Sequence, residues 1–217
     1  MAMTRMLNDV ALLVGEIRGT AERVIEICDQ ALERIAGGLE MPMTLYSQRD
    51  PRWRDQVYAG RMSFGQAGCY VTCVAMIASL TGSDDNPPVV AIKLREAGCF
   101  SGTYLSHPER IPQAYLGLQW DGLLDWRNQA ADLMRLQVEL AQGPVIIEVE
   151  FSPGGAAPPN DQHFVVAESF TNDGKDLYIV DPWDGARTRL MERYALDSWD
   201  LARAIYGARL LRVGEDS

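Results

Sequence analysis

Two cysteines lie one helical turn apart in the segment GCYVTCVAMIASLTG, residues 68–82. A cysteine attacks a carbonyl carbon as the thiolate, so its surroundings decide whether it is a nucleophile. Cys69 stands at the predicted first turn of a helix, where free backbone N–H groups and the positive end of the helix dipole favour a thiolate. Cys73 lies one turn further in and is followed by apolar residues, which is typical of a core position. Cys69 is therefore the candidate nucleophile.

A thiolate nucleophile needs a base that becomes its imidazolium partner, and a third group that orients the imidazole. The chain has only two histidines, which narrows the choice. His163 opens the predicted strand HFVVAESF, and Asp181 ends the predicted strand DLYIVDP. A turn at residues 171–175 joins these strands into a hairpin, so His163 and Asp181 are expected to be neighbours that share a hydrogen bond. His107 precedes a proline in a predicted loop and has no such context.

The elements that must position these residues follow from hydrophobic periodicity and turn signals. Helical patterns come first and strand patterns follow, which predicts an α+β fold with an antiparallel sheet. Residues 98–127 are predicted to be irregular. The predicted helices span residues 69–80, 89–97 and 128–142, and the predicted strands span 145–151, 163–170, 176–182 and 204–213.

Residues 1–40 stand apart from the rest and are predicted to form an amphipathic helix that Gly37 and Gly38 end. Its apolar stripe is wider than a two-stranded coiled coil needs. Two interpretations stay open: the helix mediates self-association into a bundle, or it docks on the globular domain of residues 41–217. On either one Cys28 is a buried seam residue. Ten residues keep unbroken steps of four and three: Met3, Leu7, Val10, Val14, Ile17, Ala21, Val24, Cys28, Ala31 and Ile35.

Composition excludes several classes of protein. The net charge of −10, with no stripe of Lys or Arg, argues against nucleic-acid binding. No apolar run is long enough for a membrane span, and the N-terminus lacks the pattern of a secretory signal, so we expect synthesis in the cytoplasm. Four irregularly spaced cysteines and two histidines predict neither a disulfide framework nor a zinc site, and no cofactor is expected.

Five segments together resemble the papain-like cysteine peptidases that process bacteriocin leader peptides, peptidase family thirty-nine. The likeness spans about residues 44–213 and is closest to the branch that has no attached transporter. The N-terminal helix lies outside it. The segments are YSQRDPRW at 46–53, GCYVTCVAMIASLTG at 68–82, GPVIIEVEF at 143–151, QHFVVAES at 162–169 and YIVDPWDG at 178–185.

The resemblance implies a papain-like fold and a role for each matching residue. Cys69 is the implied nucleophile, His163 the base and acid, and Asp181 the orienting group. Gln48 matches the glutamine whose amide, with the Cys69 backbone N–H, holds the oxyanion; Gln66 is a rival for this role. Two further residues matter near the site. Trp183 is in position to shield the His–Asp hydrogen bond, and Tyr70 replaces a small residue and can narrow the cleft.

The resemblance also implies a substrate class. Members without a transporter occur in bacterial and phage cell-wall hydrolases, so the expected substrate is a peptide, and peptidoglycan in particular. A heptad helix without a signal peptide suits a virion-associated subunit such as a phage-tail component. Two alternatives stay open: a catalytically silent scaffold that binds peptide, and an enzyme that acts on a non-peptide amide or acyl group.

Overall fold

The computed structural model describes residues 18–19, 43–60, 62–102, 104–150, 162–194 and 200–214. The chain divides into two compact units, residues 1–40 and 41–217. Within the first unit, the described residues 18 and 19 are helical. The rest of the predicted heptad helix, its glycine stop and Cys28 lie outside the described residues. The division of the chain into a docking helix and a peptidase domain therefore stays a prediction.

Short helices and two-stranded hairpins form the first half of the second unit. The helix predicted at residues 89–97 begins earlier, at Pro87, because a proline at the first helical position loses no hydrogen bond. The Asn86 side chain caps this helix by accepting from the Val89 N–H at 3.3 Å. In chain order the elements are β1 Val57–Ala59, β2 Met62–Ser63, α1 Phe64–Ala67, α2 Cys69–Ser79, α3 Pro87–Glu96, β3 Phe100–Ser101, β4 Tyr104–Leu105, a 3-10 helix Pro108–Arg110 and α4 Ile111–Ala114.

The second half forms a six-stranded antiparallel sheet with helices between its strands. Its elements are β5 Leu118–Asp125, α5 Leu133–Ala141, β6 Val145–Glu150, β7 Gln162–Phe170, β8 Leu177–Asp181, β9 Ala186–Arg189, α6 Leu190–Arg193, α7 Leu201–Ala204 and β10 Ile205–Val213. The strand order is β5-β10-β6-β7-β8-β9, so the last strand of the chain lies inside the sheet. Helices followed by an antiparallel sheet confirm the predicted α+β fold.

The two edge strands differ from the sequence prediction. Residues 98–127, predicted to be irregular, contain the eight-residue strand β5, and the sequence patterns do not predict β9. Both strands alternate less exposed with exposed residues, because an edge strand with one solvated face needs no continuous apolar run. β5 also contains Gly122 at φ 125°, next to a shift in its pairing with β10. This irregularity interrupts the period-two pattern by which strands are recognised.

The sheet separates two hydrophobic cores. α2 and α3 pack on one face with alternate strand residues such as Ile146 and Val166. The intervening residues, such as Ile147 and Val165, belong to the core on the other face. α2 is buried from residue 70 to residue 79, which holds its first residue firmly beside the sheet. Among the residues that the structure describes, no helix combines the length and apolar character that crossing a bilayer requires.

Candidate active site

Cys69 is the first residue of α2 and is partly exposed in a cleft of about 830 Å³. Gly68 precedes it as the N-cap, with an ordinary φ of −79°. A Cβ atom at residue 68 would lie 2.6 Å from the Phe64 carbonyl oxygen. Glycine is therefore required here by the close contact between residue 68 and Phe64, the first residue of α1, and not by an unusual backbone conformation.

Cys73 lies one turn further along α2 and is fully buried, as the sequence predicts. Its Sγ donates a hydrogen bond to the Phe164 carbonyl oxygen at 3.4 Å. Burial raises the pKa of the Cys73 thiol well above its usual value, and the negative charges of Cys69 and Asp181 add to the effect. Cys73 is therefore a protonated core residue that ties α2 to β7.

His163 and Asp181 are brought together by the register of two neighbouring strands. β7 pairs with β8 so that Val166 lies opposite Val180. Asp181 and His163 therefore point to the same face of the sheet, in the diagonal relation that long side chains can bridge. Their hydrogen bond joins His163 Nε2 to Asp181 Oδ1 at 2.9 Å. The hairpin geometry that the sequence indicates is present.

The His163 imidazole is buried, with Asp181 and Cys69 beside it. Its side chain is 3% exposed, and its ring interacts with Cys69, which lines the same cleft. Because Nε2 faces Asp181, Nδ1 is the nitrogen available to the Cys69 sulfur. Burial alone would lower the pKa of His163, but the hydrogen bonds to Asp181 and Cys69 and the charges of both groups outweigh it and raise the pKa to about 9. The site therefore favours an imidazolium beside the sulfur.

The Asp181 carboxylate is fully buried and receives four hydrogen bonds from residues that the structure describes. Oδ1 accepts from His163 Nε2 and from the Trp183 backbone N–H, each at 2.9 Å. Oδ2 accepts from the Tyr194 hydroxyl at 2.7 Å and from Arg193 Nε at 2.9 Å. Burial alone would raise the pKa of Asp181, but the bond and charge of His163, the Tyr194 hydroxyl and the Trp183 N–H outweigh it and hold the pKa far below its usual value. Asp181 is therefore ionised.

Gln48 lies on the wall of the same cleft, and its side chain is 1% exposed. Its backbone N–H donates to the Pro182 carbonyl at 2.6 Å, which ties this segment to the turn that follows Asp181. Its Nε2 donates to the Gly65 carbonyl at 3.3 Å. A primary amide nitrogen carries two hydrogens, so one N–H of this group is left for a ligand. The long-range contact, which local sequence cannot reveal, holds the amide in place.

Gln66, the rival of Gln48, is exposed and is used in capping α1. Its Oε1 accepts from the Ser63 backbone N–H at 3.0 Å, in a capping box at the start of that helix. Tyr70 lines the cleft. It is buried and stacks on Phe164 with ring centroids 4.6 Å apart, so it forms part of the wall. The expectation that Tyr70 narrows the cleft stays a prediction.

His107 and Trp183 are the remaining residues that the sequence singles out. His107 immediately precedes the 3-10 helix, and its Nδ1 pairs with Glu109 Oε1 at 3.1 Å on the surface. Trp183 lines the cleft, and the Arg49 guanidinium stacks over its ring at 4.3 Å. Within the described part of the chain, no three His, Cys, Asp or Glu side chains form a group that could hold a metal ion.

Sequence reasoning missed Arg193 and Tyr194, which both bond Asp181. Arg193 ends the short helix α6, whose sequence is LMER, and Tyr194 follows it. Nothing in that composition distinguishes the two residues from an ordinary surface turn. Their nearness to Asp181 along the chain is a signal too general to be useful. Their role follows from the fold alone.

Comparison with known protein families matches residues 42–206 to the Peptidase_C39 like family. The chain belongs to this family. The match confirms the resemblance seen in the sequence, and it contains Gln48, Cys69, His163 and Asp181. Membership of the family supports a cysteine peptidase, and the mixed helix and sheet architecture is consistent with a papain-like fold. No curated protein that was compared with the chain matches it.

Proposed function

We propose that this protein hydrolyses peptide bonds in its cleft, with Cys69 as nucleophile, His163 as base and acid, and Asp181 as the orienting group. The observation that supports this best is the position of His163, which hydrogen-bonds Asp181 at 2.9 Å and lines the same cleft as Cys69, whose sulfur interacts with the imidazole. An imidazole held between a thiol and a carboxylate is the arrangement that activates a cysteine nucleophile.

The reaction proceeds in two halves. The Cys69 thiolate attacks the peptide carbonyl carbon and forms a C–S bond, and the C–N bond breaks as the His163 imidazolium gives its proton to the leaving amine. A water molecule then gives a proton to neutral His163 while its oxygen attacks the thioester carbon. The C–S bond breaks, the acid product leaves, and the thiolate and imidazolium are restored.

The developing negative charge on the carbonyl oxygen is stabilised by two donors in this proposal. One is the backbone N–H of Cys69, which is free because it lies at the first position of α2. The other is the free N–H of the Gln48 amide, whose orientation is held by its bond to Gly65. A donor of this kind contributes about 3 kcal/mol to transition-state stabilisation, so Gln48→Ala would lower kcat by about 100-fold or more.

The finer substrate assignment rests on the resemblance to the family. We propose peptidoglycan peptides as the first substrate class to test, with the protein acting as a cell-wall endopeptidase in a phage tail. The cleft volume of about 830 Å³ accommodates several residues of an extended peptide. The exposed side chains of Tyr104 and Leu123 on its rim suit a polypeptide equally well, so protein and cell-wall substrates belong in the same experiment.

The test combines thiol labelling with hydrolysis. The full chain is treated with iodoacetamide at neutral pH, the labelled peptides are mapped by mass spectrometry, and hydrolysis of fluorescent casein and of purified cell walls is measured. Cys69 is expected to be labelled faster than Cys73 and Cys99, because these two are fully buried. Labelling of Cys69 is expected to abolish hydrolysis in parallel.

Cys69→Ala and Cys73→Ala form a matched pair of variants on one helix. The first is expected to remove all hydrolysis and the second to retain it. Hydrolysis that survives in Cys69→Ala would refute the assigned nucleophile. Rapid labelling of Cys69 with no hydrolysis of either substrate would favour the alternative of a silent, peptide-binding scaffold.

A further inference from the structure

We propose that Arg193 and Tyr194 are positioning residues of this site, which fix the Asp181 carboxylate and, through Arg193, the turn of residues 181–185. The inference rests on the proposed function, because it gives these residues a purpose only if the His163–Asp181 pair acts in catalysis. Both residues act through the group that orients the imidazole, from the side of the carboxylate that faces away from His163.

The contacts divide the carboxylate into two sides. Asp181 Oδ1 faces His163, whereas Oδ2 accepts from the Tyr194 hydroxyl at 2.7 Å and Arg193 Nε at 2.9 Å. Two donors on the far oxygen fix rotation about the bond that carries the carboxylate. Oδ1 is thereby kept in line with His163 Nε2, and the imidazole is kept in the orientation that presents Nδ1 to Cys69.

Arg193 also bonds a second carboxylate in the same turn. Its Nη2 donates to Asp184 Oδ2 at 2.7 Å, so one guanidinium bridges Asp181 and Asp184. That turn also holds the Gln48 segment, because the Pro182 carbonyl accepts from the Gln48 N–H at 2.6 Å. Loss of Arg193 therefore loosens both the imidazole and the oxyanion side of the site, whereas loss of the Tyr194 hydroxyl affects the imidazole side.

Arg193 and Tyr194 differ in charge, so their removal is expected to affect the pKa of His163 differently. The titratable groups that interact with the His163–Asp181 pair are Cys69 and Cys73 from α2, Arg193 at the end of α6 and Tyr194 after it. Burial and the Asp181 charge raise the pKa of Tyr194, so it remains a hydroxyl donor at every working pH. Arg193 is a cation that shares the Asp181 charge with the imidazolium. Removing Arg193 removes a positive charge near the imidazolium and strengthens its attraction to Asp181, so the pKa of His163 is expected to rise.

The first experiment measures the imidazole directly and needs no activity. The chain has two histidines, so NMR titration of the full protein gives one signal for His163 and one for His107, which lies on the surface as an internal reference. Arg193→Gln is expected to raise the pKa of His163 by about half a pH unit and to leave His107 unchanged. Arg193→Lys is expected to restore the wild-type value, because it keeps the charge.

The second experiment measures hydrolysis of fluorescent casein in the same variants. Tyr194→Phe is expected to lower kcat about tenfold, and Arg193→Gln is expected to lower it further because it loosens both sides of the site. Little change in KM is expected in either variant, since neither residue acts on substrate. Arg193→Lys is expected to recover kcat only in part, because a lysine cannot bridge Asp181 and Asp184. The matched control is Arg189→Gln, which breaks an exposed ion pair with Glu192 beside the same helix and is expected to leave kcat unchanged.

The outcomes separate the two proposals. If the wild type hydrolyses casein and the folded variants match it in kcat and in the pKa of His163, the positioning roles are refuted and the proposed function stands. If the wild type has no activity and its Cys69 reacts like a free thiol, the proposed function fails. The NMR shift in Arg193→Gln then still decides whether Arg193 acts on the His163–Asp181 pair.

Discussion

The turn after Asp181 carries a glycine that couples the two sides of the site. Gly185 adopts a φ of +75°, and a Cβ atom there would lie 3.3 Å from the backbone carbon and oxygen of Tyr46. Tyr46 is two residues before Gln48, in the segment that this turn holds. Gly174 is the matched control, because it adopts a φ of +68° in another turn and a Cβ atom there would meet nothing within 4 Å.

The magnitudes follow from these contacts. Placing an L-residue in the left-handed region lowers the free energy of unfolding by about 1 to 2 kcal/mol. Alanine also reduces the conformational entropy of the unfolded chain relative to glycine, which offsets about half of this loss. Gly174→Ala is therefore expected to lower the free energy of unfolding by about 1 kcal/mol. Gly185→Ala incurs the same cost and also pushes the Tyr46 backbone by a few tenths of an ångström. A shift of about 1 Å lowers rates by about 100-fold, so about a third of that shift at Gln48 lowers kcat about fivefold.

The assay combines denaturant unfolding with casein hydrolysis on both variants. Both should unfold at lower denaturant concentration, and only Gly185→Ala should lose activity. A double-mutant cycle gives the sharper test, because Gly185→Ala should have no further effect on kcat once Gln48→Ala has removed the amide. Equal kcat values for the two glycine variants, or additive losses in the cycle, would show that the turn does not position Gln48.

Three further predictions concern pH and packing. The raised pKa of His163 contributes stability that is fully present below about pH 6.5 and is lost as pH rises through about 9. The lowered pKa of Asp181 contributes stability that is lost on acidification below about pH 4. The free energy of unfolding, measured across pH, should therefore be greatest between about pH 4 and 6.5, and its loss at alkaline pH should be smaller in Cys69→Ala. Gly68→Ala should lower the free energy of unfolding by about 2 kcal/mol and reduce the Cys69 alkylation rate, because its Cβ meets the Phe64 carbonyl; a wild-type rate would contradict this. Cys73→Ser should destabilise the fold by about 1 to 3 kcal/mol with unchanged kcat per folded molecule, since it places a more polar group in the core; a loss of kcat in the folded fraction would give Cys73 a part in the chemistry.

Much of the candidate site can be predicted from local sequence patterns. The glycine before Cys69 and the apolar run after it predict a helix that begins at Cys69, and α2 begins at that residue. The turn at residues 171–175 predicts a hairpin, and the hairpin brings His163 and Asp181 to the same face. These features could be predicted because each depends on residues that are close along the chain.

Other features depend on contacts between distant residues. Gln48 is indicated only by the resemblance to a family, since its orientation depends on Pro182 and Gly65. β5 and β9 escape prediction because polar edge strands resemble loops until a partner strand supplies their hydrogen bonds. The central position of β10 likewise depends on pairing between segments that are far apart along the chain.

By itself, the sequence determined the α+β class, the helix that presents Cys69 and the hairpin that carries His163 and Asp181. Only the tertiary structure decided how Asp181 is held, because Tyr194 and Arg193 reach its second oxygen from a helix end of ordinary composition. The physical reason is that hydrophobic periodicity and turn signals act over a few residues. The partners of a buried charge instead depend on the packing of the whole domain. A buried carboxylate must accept hydrogen bonds, and the donors can come from any segment that packs against it.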